Sequence, residues 1–202
     1  MTAAWLPDAA DPCGSIPISP LIIGSRIAYA HPVRVLIVSD THGALDPRIA
    51  ELASRAELVI HAGDVGSAEI LEQLRPAAAG GQLIAVTGNN DVPGKWPRGQ
   101  RRRLRDLPET AEIAVPGGVI AVEHGHRALP ASRRHERLRA RHPDARLVVY
   151  GHSHRLVIDR DARPWVVNPG AAGRARTFGG PSCLVLRAST RRWQIDERRF
   201  AP

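Results

Sequence analysis

The chain reads as an α/β protein, a layered sandwich in which two sheets face each other with helices outside. Between residues 33 and 91, apolar strand-like runs alternate with helical patterns, which predicts right-handed βαβ units around a parallel centre. Beyond Leu156 only short strands and turns follow, which predicts a largely antiparallel carboxyl third. The 202 residues, 43% of them hydrophobic, suit one domain with a real core.

Taken in order, residues 1–31 are rich in proline, alanine and small polar residues and hold no sustained period. They read as a poorly ordered or loosely attached extension, or as sequence upstream of the natural start, with the domain over 32–202. The apolar residues between Ile16 and Ala28 are interrupted by Pro17, Pro20, Gly24 and Arg26, too broken to span a bilayer. Asp8 and Asp11 precede them without an early positive charge, so a signal peptide is not expected. Cys13 and Cys183 form no framework spacing, and a soluble, cytoplasmic protein is the expectation.

The run Val33–Val38 predicts a buried strand emptying into a functional loop at Ser39-Asp40-Thr41-His42-Gly43. Asp46-Pro47 opens a helix through Arg55, aspartate as cap and proline in the first turn. Glu57–His61 is a second strand, 67–74 a helix and Gln82–Val86 a third strand. An arginine-rich loop or short helix covers 98–105. Thr110–Val115 and Val119–Glu123 form a hairpin, and 131–141 a basic helix with Ser132 as cap. Strands follow at Arg146–Tyr150, Leu156–Asp159, Trp165–Asn168, Ser182–Arg187 and Trp193–Arg198.

The formal charge is +8, and all but one of the 28 basic residues are arginine. With aromatics at 4%, this charge reads more as a compositional habit than as a nucleic-acid signature. The arginines at 98–105 and on the helix 133–141 could still steer a phosphorylated substrate or a strand of nucleic acid, a solvated face being the plainer account.

Five polar turns stand at predicted strand ends: Asp40-Thr41-His42, Gly63-Asp64, Gly88-Asn89-Asn90-Asp91, His124-Gly125-His126 and Gly151-His152-Ser153-His154. Oxygen and imidazole donors suit Mn²⁺, Fe²⁺, Zn²⁺ or Co²⁺, and the lack of cysteine argues against a structural zinc site. Residues two apart on an extended chain point the same way, so Asp40 with His42 and His152 with His154 can reach inward together. Asp91 is read as orienting a neighbour or closing its turn, and Asn168 and Gly170 as shaping a tight turn beneath the site. His31, His61, His135 and His142 match no motif position and are read as structural or surface residues.

In the order D-x-H, G-D, G-N-x-D, H-G-H and G-H-x-H, extending to Asn168-Pro169-Gly170, the chain resembles the calcineurin-like metallophosphoesterases. Within them it is most similar to the small bacterial and archaeal phosphodiesterase branch, over about Val33 to Trp193. The resemblance implies a four-layer αββα sandwich of two mixed sheets flanked by helices, holding two divalent metals. Mn²⁺ is expected, with Fe²⁺, Zn²⁺, Ni²⁺ or Co²⁺ compatible. It implies Asp40, His42 and His154 on the first metal, Asn89, His124 and His152 on the second, and Asp64 bridging. A slip of one position would exchange Asn89 for Asn90, or His124 for His126.

The implied reaction is hydrolysis of a phosphodiester in a small molecule by a metal-bridging hydroxide. Many relatives carry a histidine where this chain has Asn90. That amide can donate to a phosphate oxygen but cannot deliver a proton, which favours diesters with good leaving groups. His126 is assigned to the substrate side. The competing readings are a protein-interaction module that uses the metal pocket weakly, as in some relatives of trafficking complexes, and a nuclease.

Overall fold

The computed structural model describes residues 31–77 and 81–202. The expected extension at 1–31 therefore lies, apart from His31, outside the described residues, as does Cys13.

Ten strands are laid down in chain order: β1 Val33–Val38, β2 Leu58–His61, β3 Gln82–Ala85, β4 Thr110–Val115, β5 Gly118–Glu123, β6 Leu147–Val149, β7 Leu156–Asp159, β8 Trp165–Pro169, β9 Ser182–Ala188 and β10 Trp193–Arg199. The helices are α1 Pro47–Ser54, α2 Ala68–Gln73, α3 Arg101–Arg105 and α4 Arg134–Arg141. They build two five-stranded sheets, ordered β10-β9-β1-β2-β3 and β4-β5-β6-β8-β7. Each sheet is mixed: β1, β2 and β3 pair in parallel, β9 runs antiparallel to β1 and β10 antiparallel to β9, and β5, β6 and β8 pair in parallel between antiparallel β4 and β7.

Alternation along the strands explains the layering. On β1, Val33, Val35 and Ile37 enter the central core with Ile120 and Val122 of β5 and Leu147 and Val149 of β6, so this core is the seam between the sheets. Leu36 and Val38 point the other way and pack with Ile49 of α1, Ile70 and Leu71 of α2 and Leu104 of α3. On the far side Ala121, Val148 and Val166 pack with Leu138 of α4. The result is the four-layer αββα sandwich.

Helix α1 starts as its residues dictate. Asp46 accepts from the Arg48 backbone N–H at 2.9 Å, and Pro47, having no N–H to leave unpaired, takes the first helical position. The α4 expectation needs correction. Ala131–Arg133 form a 3₁₀ turn, Arg133 stands at the N-cap of α4, and no side chain caps either segment. The antiparallel carboxyl third also needs revision: its strands are divided between the sheets, with β7 and β8 completing the second and β9 and β10 the first. A period of two specifies which face is buried, not which strand lies alongside. Cys183 is buried in β9, which pushes its thiol up to about 12.

Leu58 is fully buried at the seam between the sheets. Leu58→Ala is expected to cost about 2–5 kcal/mol in urea unfolding, whereas Arg101→Ala on the exposed face of α3 stays within about 0.5 kcal/mol.

Candidate metal centre

The carboxyl ends of β1, β2, β3, β5 and β6 all empty toward one edge of the sandwich, so the five polar turns converge there. Backbone hydrogen bonds between the turns continue where the ladders stop. Asp40 N–H donates to the Gly63 carbonyl at 3.0 Å, His42 N–H to Asp64 at 2.9 Å and Gly43 N–H to Val65 at 2.8 Å. The Asp91 carboxylate binds the next turn in. It accepts from the N–H groups of Val65, Gly66 and Gly88 at 2.8–3.1 Å and from the Trp96 indole at 2.8 Å. Asp91 therefore closes its own turn and also ties it to the Asp64 turn.

The backbone departs from expectation at the donors themselves. Asp40, His42, Asp64, His152 and His154 all have positive φ, between 48° and 67°. The D-x-H and H-x-H pairs are thus alternating left-handed residues rather than extended ones, and they converge by that route. Such backbone costs a non-glycine residue on the order of 1–3 kcal/mol each. Strain repeated at five donor positions is characteristic of a functional site.

Two overlapping groups result. Asp40, His42 and His154 bring one donor atom each within 4.8 Å of one another, and so do Asp40, Asp64 and His124. Asp40 stands in both groups. Asp64 also faces both, its Oδ2 lying 3.7 Å from His42 Nε2 and 3.4 Å from His124 Nε2. Asn89 and His152 stand outside these groups but touch each other, Asn89 Oδ1 accepting from His152 Nδ1 at 2.9 Å. The His152 ring meets the His124 ring edge-on at 5.4 Å.

Tautomers are set by neighbours. His124 Nδ1 donates to the Ala62 carbonyl at 2.8 Å and His154 Nδ1 to that of Ala175 at 3.1 Å, which turns both Nε2 atoms to the centre; burial lowers His124, but Asp64 and Asp40 outweigh it and raise it.

The donor set suits a divalent cation. Asp40 Oδ2 and His124 Nε2 are buried with no hydrogen-bond partner, the state of an atom built for a ligand of another kind. Burial, set against the His124 charge, pushes the Asp40 carboxyl up to about 7. Burial also raises Asp64, but the His124 imidazole 3.4 Å away and two hydrogen bonds from Asn90 outweigh it and hold Asp64 well below the ordinary carboxylate range. His42 and His154 are depressed by burial, and His152 is lowered to about 4 by burial and by the charge of His124, so these imidazoles are neutral and ready to bind a cation.

Close packing depends on glycines. A Cβ at Gly88 would stand 2.2 Å from Asp64 Oδ1, and one at Gly151 would stand 1.9 Å from Ser39 Oγ, where the two sheets' loops meet.

Of the two residues expected near substrate, Asn90 is placed differently. Its amide donates to Asp64 Oδ2 at 2.6 Å and its backbone N–H to Oδ1 at 2.7 Å, while its own oxygen accepts from Lys95. The amide expected to reach a phosphate oxygen is engaged with the carboxylate instead. His126 is half-buried, its Nδ1 has no partner, and it lines a cleft of about 290 Å³ with His124, Thr110, Glu123, Arg127 and His142.

Asn168 donates to the Gly151 carbonyl at 2.6 Å and to Ser153 Oγ at 3.0 Å, and accepts from Gly170 N–H at 2.9 Å, holding the histidine turn from below. His61 is structural: fully buried, it bonds Thr41 Oγ1 at 2.8 Å under the D-x-H turn. His135 bridges Asp159 and Tyr150, and His142 contacts Glu123. Carboxylates pair with two of the four α4 arginines, Arg139 with Asp159 and Arg141 with Glu123, and Arg133 at its N-cap pairs with Glu136. One residue at the centre was not picked out by the motifs: Arg176, whose Nη2 lies 3.1 Å from His154 Nε2. An exposed arginine six residues past a turn glycine carries no local signal of its own.

Gly88→Ala is expected to weaken Mn²⁺ binding by about 10-fold or more in calorimetry, with the circular dichroism unchanged, because it displaces the Asp64 carboxylate. Gly99→Ala, with open space around its Cα, leaves binding as it is.

The comparisons agree with this geometry. The family model for the calcineurin-like phosphoesterase superfamily domain matches residues 33–191. A probable metallophosphoesterase of Methanocaldococcus jannaschii is 31% identical over 143 residues, 67% of this chain, and the match spans 66% of that relative's own length. Among solved structures, an archaeal phosphodiesterase superposes with a TM-score of 0.58 at 21% identity, covering 82% of this chain and 99% of its own. Wild-type Vps29 of Entamoeba histolytica complexed with zinc gives 0.58 at 18% identity, covering 82% and 98%. At these identities the structural likenesses establish the fold alone. From the family match and its curated relative, the chain belongs to the calcineurin-like phosphoesterase superfamily.

Proposed function

We propose that this protein hydrolyses phosphodiesters at a dinuclear centre. The observation that carries the reading is the pair of donor groups sharing buried Asp40, with Asp40 Oδ2 and His124 Nε2 unpartnered inside them. Asp40, His42 and His154 hold one divalent cation, His124, His152 and Asn89 the other, and Asp64 faces both. Mn²⁺ is the preferred ion, and Fe²⁺, Zn²⁺, Ni²⁺ and Co²⁺ fit the same donors. When bound, the pair supplies an acidified water as hydroxide and polarises the phosphoryl group.

The protein's own part is positioning. Ala62 and Ala175 fix the imidazoles, and Asn90 holds the Asp64 carboxylate in place through two donated hydrogen bonds. No acid with a proton to give stands at Asn90, so leaving groups that depart as anions are favoured, as in activated diesters. His126 lines the cleft beside the centre, where we assign it to the substrate side, and its buried Nδ1 has no partner.

A small-molecule diester is preferred over nucleic acid because aromatic residues, on which bases would stack, make up only 4% of the chain, and because two of the four arginines of α4, Arg139 and Arg141, are paired with carboxylates. No helix among the described residues is long and apolar enough to cross a membrane.

The test is a metal-reconstituted screen against phosphomonoesters, cyclic nucleotides, dinucleotides, aryl diesters and a short oligonucleotide. Two equivalents of Mn²⁺ and diester hydrolysis are expected, with turnover falling by about 100-fold or more in Asp64→Asn. Two bound equivalents with no hydrolysis of any ester would point instead to an interaction module. Asn90→His is expected to raise monoester turnover relative to diester, and an unchanged ratio counts against the leaving-group argument.

A further inference from the structure

We propose that Arg176 is the residue by which this centre grips the phosphoryl group of its substrate, a role that rests on the phosphoesterase reading above. The loop after β8 is built into the site. The Ala175 carbonyl accepts from His154 Nδ1 at 3.1 Å, and Ala172 N–H donates to the Ser39 carbonyl at 2.9 Å. A Cβ on Gly173 would stand 2.4 Å from the Thr41 carbonyl oxygen, so the loop lies directly on the D-x-H turn. Arg176 itself has a φ of 52°, in the left-handed region that its neighbours at the centre share.

This placement brings the guanidinium to a specific atom. His154 spends its Nδ1 proton on Ala175, so its Nε2 carries a lone pair, and Arg176 Nη2 lies 3.1 Å from it. That lone pair is the one His154 offers to a cation. A cation and a guanidinium cannot both hold it, so with a cation in place the arginine is left on the solvent side of the same centre, still within reach. Arg48 is held by Asp46 and Arg187 by Asp196, whereas Arg176 is held at the centre by His154. The carboxylates of the centre, Asp40 and Asp64, are buried and committed to the metal donor groups. A phosphate oxygen brought to the centre meets a planar fork of donors free to accept it.

The test uses the full chain as wild type, Arg176→Ala, Arg176→Lys and Arg174→Ala, titrated calorimetrically with inorganic phosphate when metal-loaded and, separately, with Mn²⁺ when metal-free. Arg176→Ala is expected to bind phosphate about 10–100-fold more weakly with Mn²⁺ affinity not reduced. Arg176→Lys recovers part of the loss, because an ammonium keeps the charge but not the fork, and Arg174→Ala matches wild type. With an aryl diester, the loss in Arg176→Ala falls on KM at least as much as on kcat.

Phosphate affinity unchanged in Arg176→Ala overturns the assignment, as does an equal loss of Mn²⁺ affinity, which would make the arginine a support for the loop. The two readings fail separately. A wild type that binds phosphate through Arg176 but cleaves no ester defeats the activity and keeps the arginine. A wild type that cleaves diesters with Arg176→Ala binding phosphate normally does the reverse.

Discussion

Two carboxylates without access to water, Asp40 and Asp64, set the terms for the edge of this sandwich. Both are buried at the tips of adjacent strands and face the same histidines. Like charges cannot both ionise in such surroundings without compensation. With protein groups alone the balance is uneven: Asp64 stays ionised against His124 and Asn90 while Asp40 is pushed up to about 7. A divalent cation removes the asymmetry, since it offers each carboxylate the positive charge that burial denies. The neutral state of His42, His152 and His154 fits the same requirement, because a protonated imidazole competes with the ion for its own nitrogen.

Holding these groups together costs conformational strain, which the frame around them must offset. Five donors sit in left-handed backbone, and the turns that carry them are locked by hydrogen bonds running from one turn to the next. Asp91 contributes most per residue, with one carboxylate gathering four donors from three segments. Below, Asn168 does comparable work for the histidine turn, while Gly88 lets neighbouring turns of one sheet, and Gly151 loops of the two sheets, approach to distances no side chain permits. The rigid sandwich supplies the leverage, since the turns after β1, β2, β5 and β6 follow strands that end buried on both faces.

Much of this was legible in the residues. Apolar runs ending in aspartate, histidine or glycine announce both the strand and its task, so the layers and the donor turns could be read before any coordinates. What escaped has physical reasons. Alternation suggested that Asp40 and His42 lie on extended chain, because side-chain direction there is the simplest way to aim two donors together. The left-handed solution depends on neighbouring turns that are distant in sequence. The allocation of β7 to β10 between sheets is a pairing choice that patterning does not encode. Ser132 had the side chain for a cap but not the position, since the 3₁₀ turn moves the start of α4 beyond it. Arg176 could not be distinguished from many other arginines until the fold set it against His154.

Strand β1 carries the first two donors, yet its neighbour on one side is β9, which spans Ser182–Ala188 and is itself flanked by the final strand. An early part of the site is therefore completed by one made much later. Until β9 is in place, β1 presents an open edge, and Asp40 hangs from a half-supported strand. Closing that edge requires a contact across about 150 residues, a separation that slows folding. The order of strands thus acts as a timing device, keeping the centre from being finished before β9 has been made.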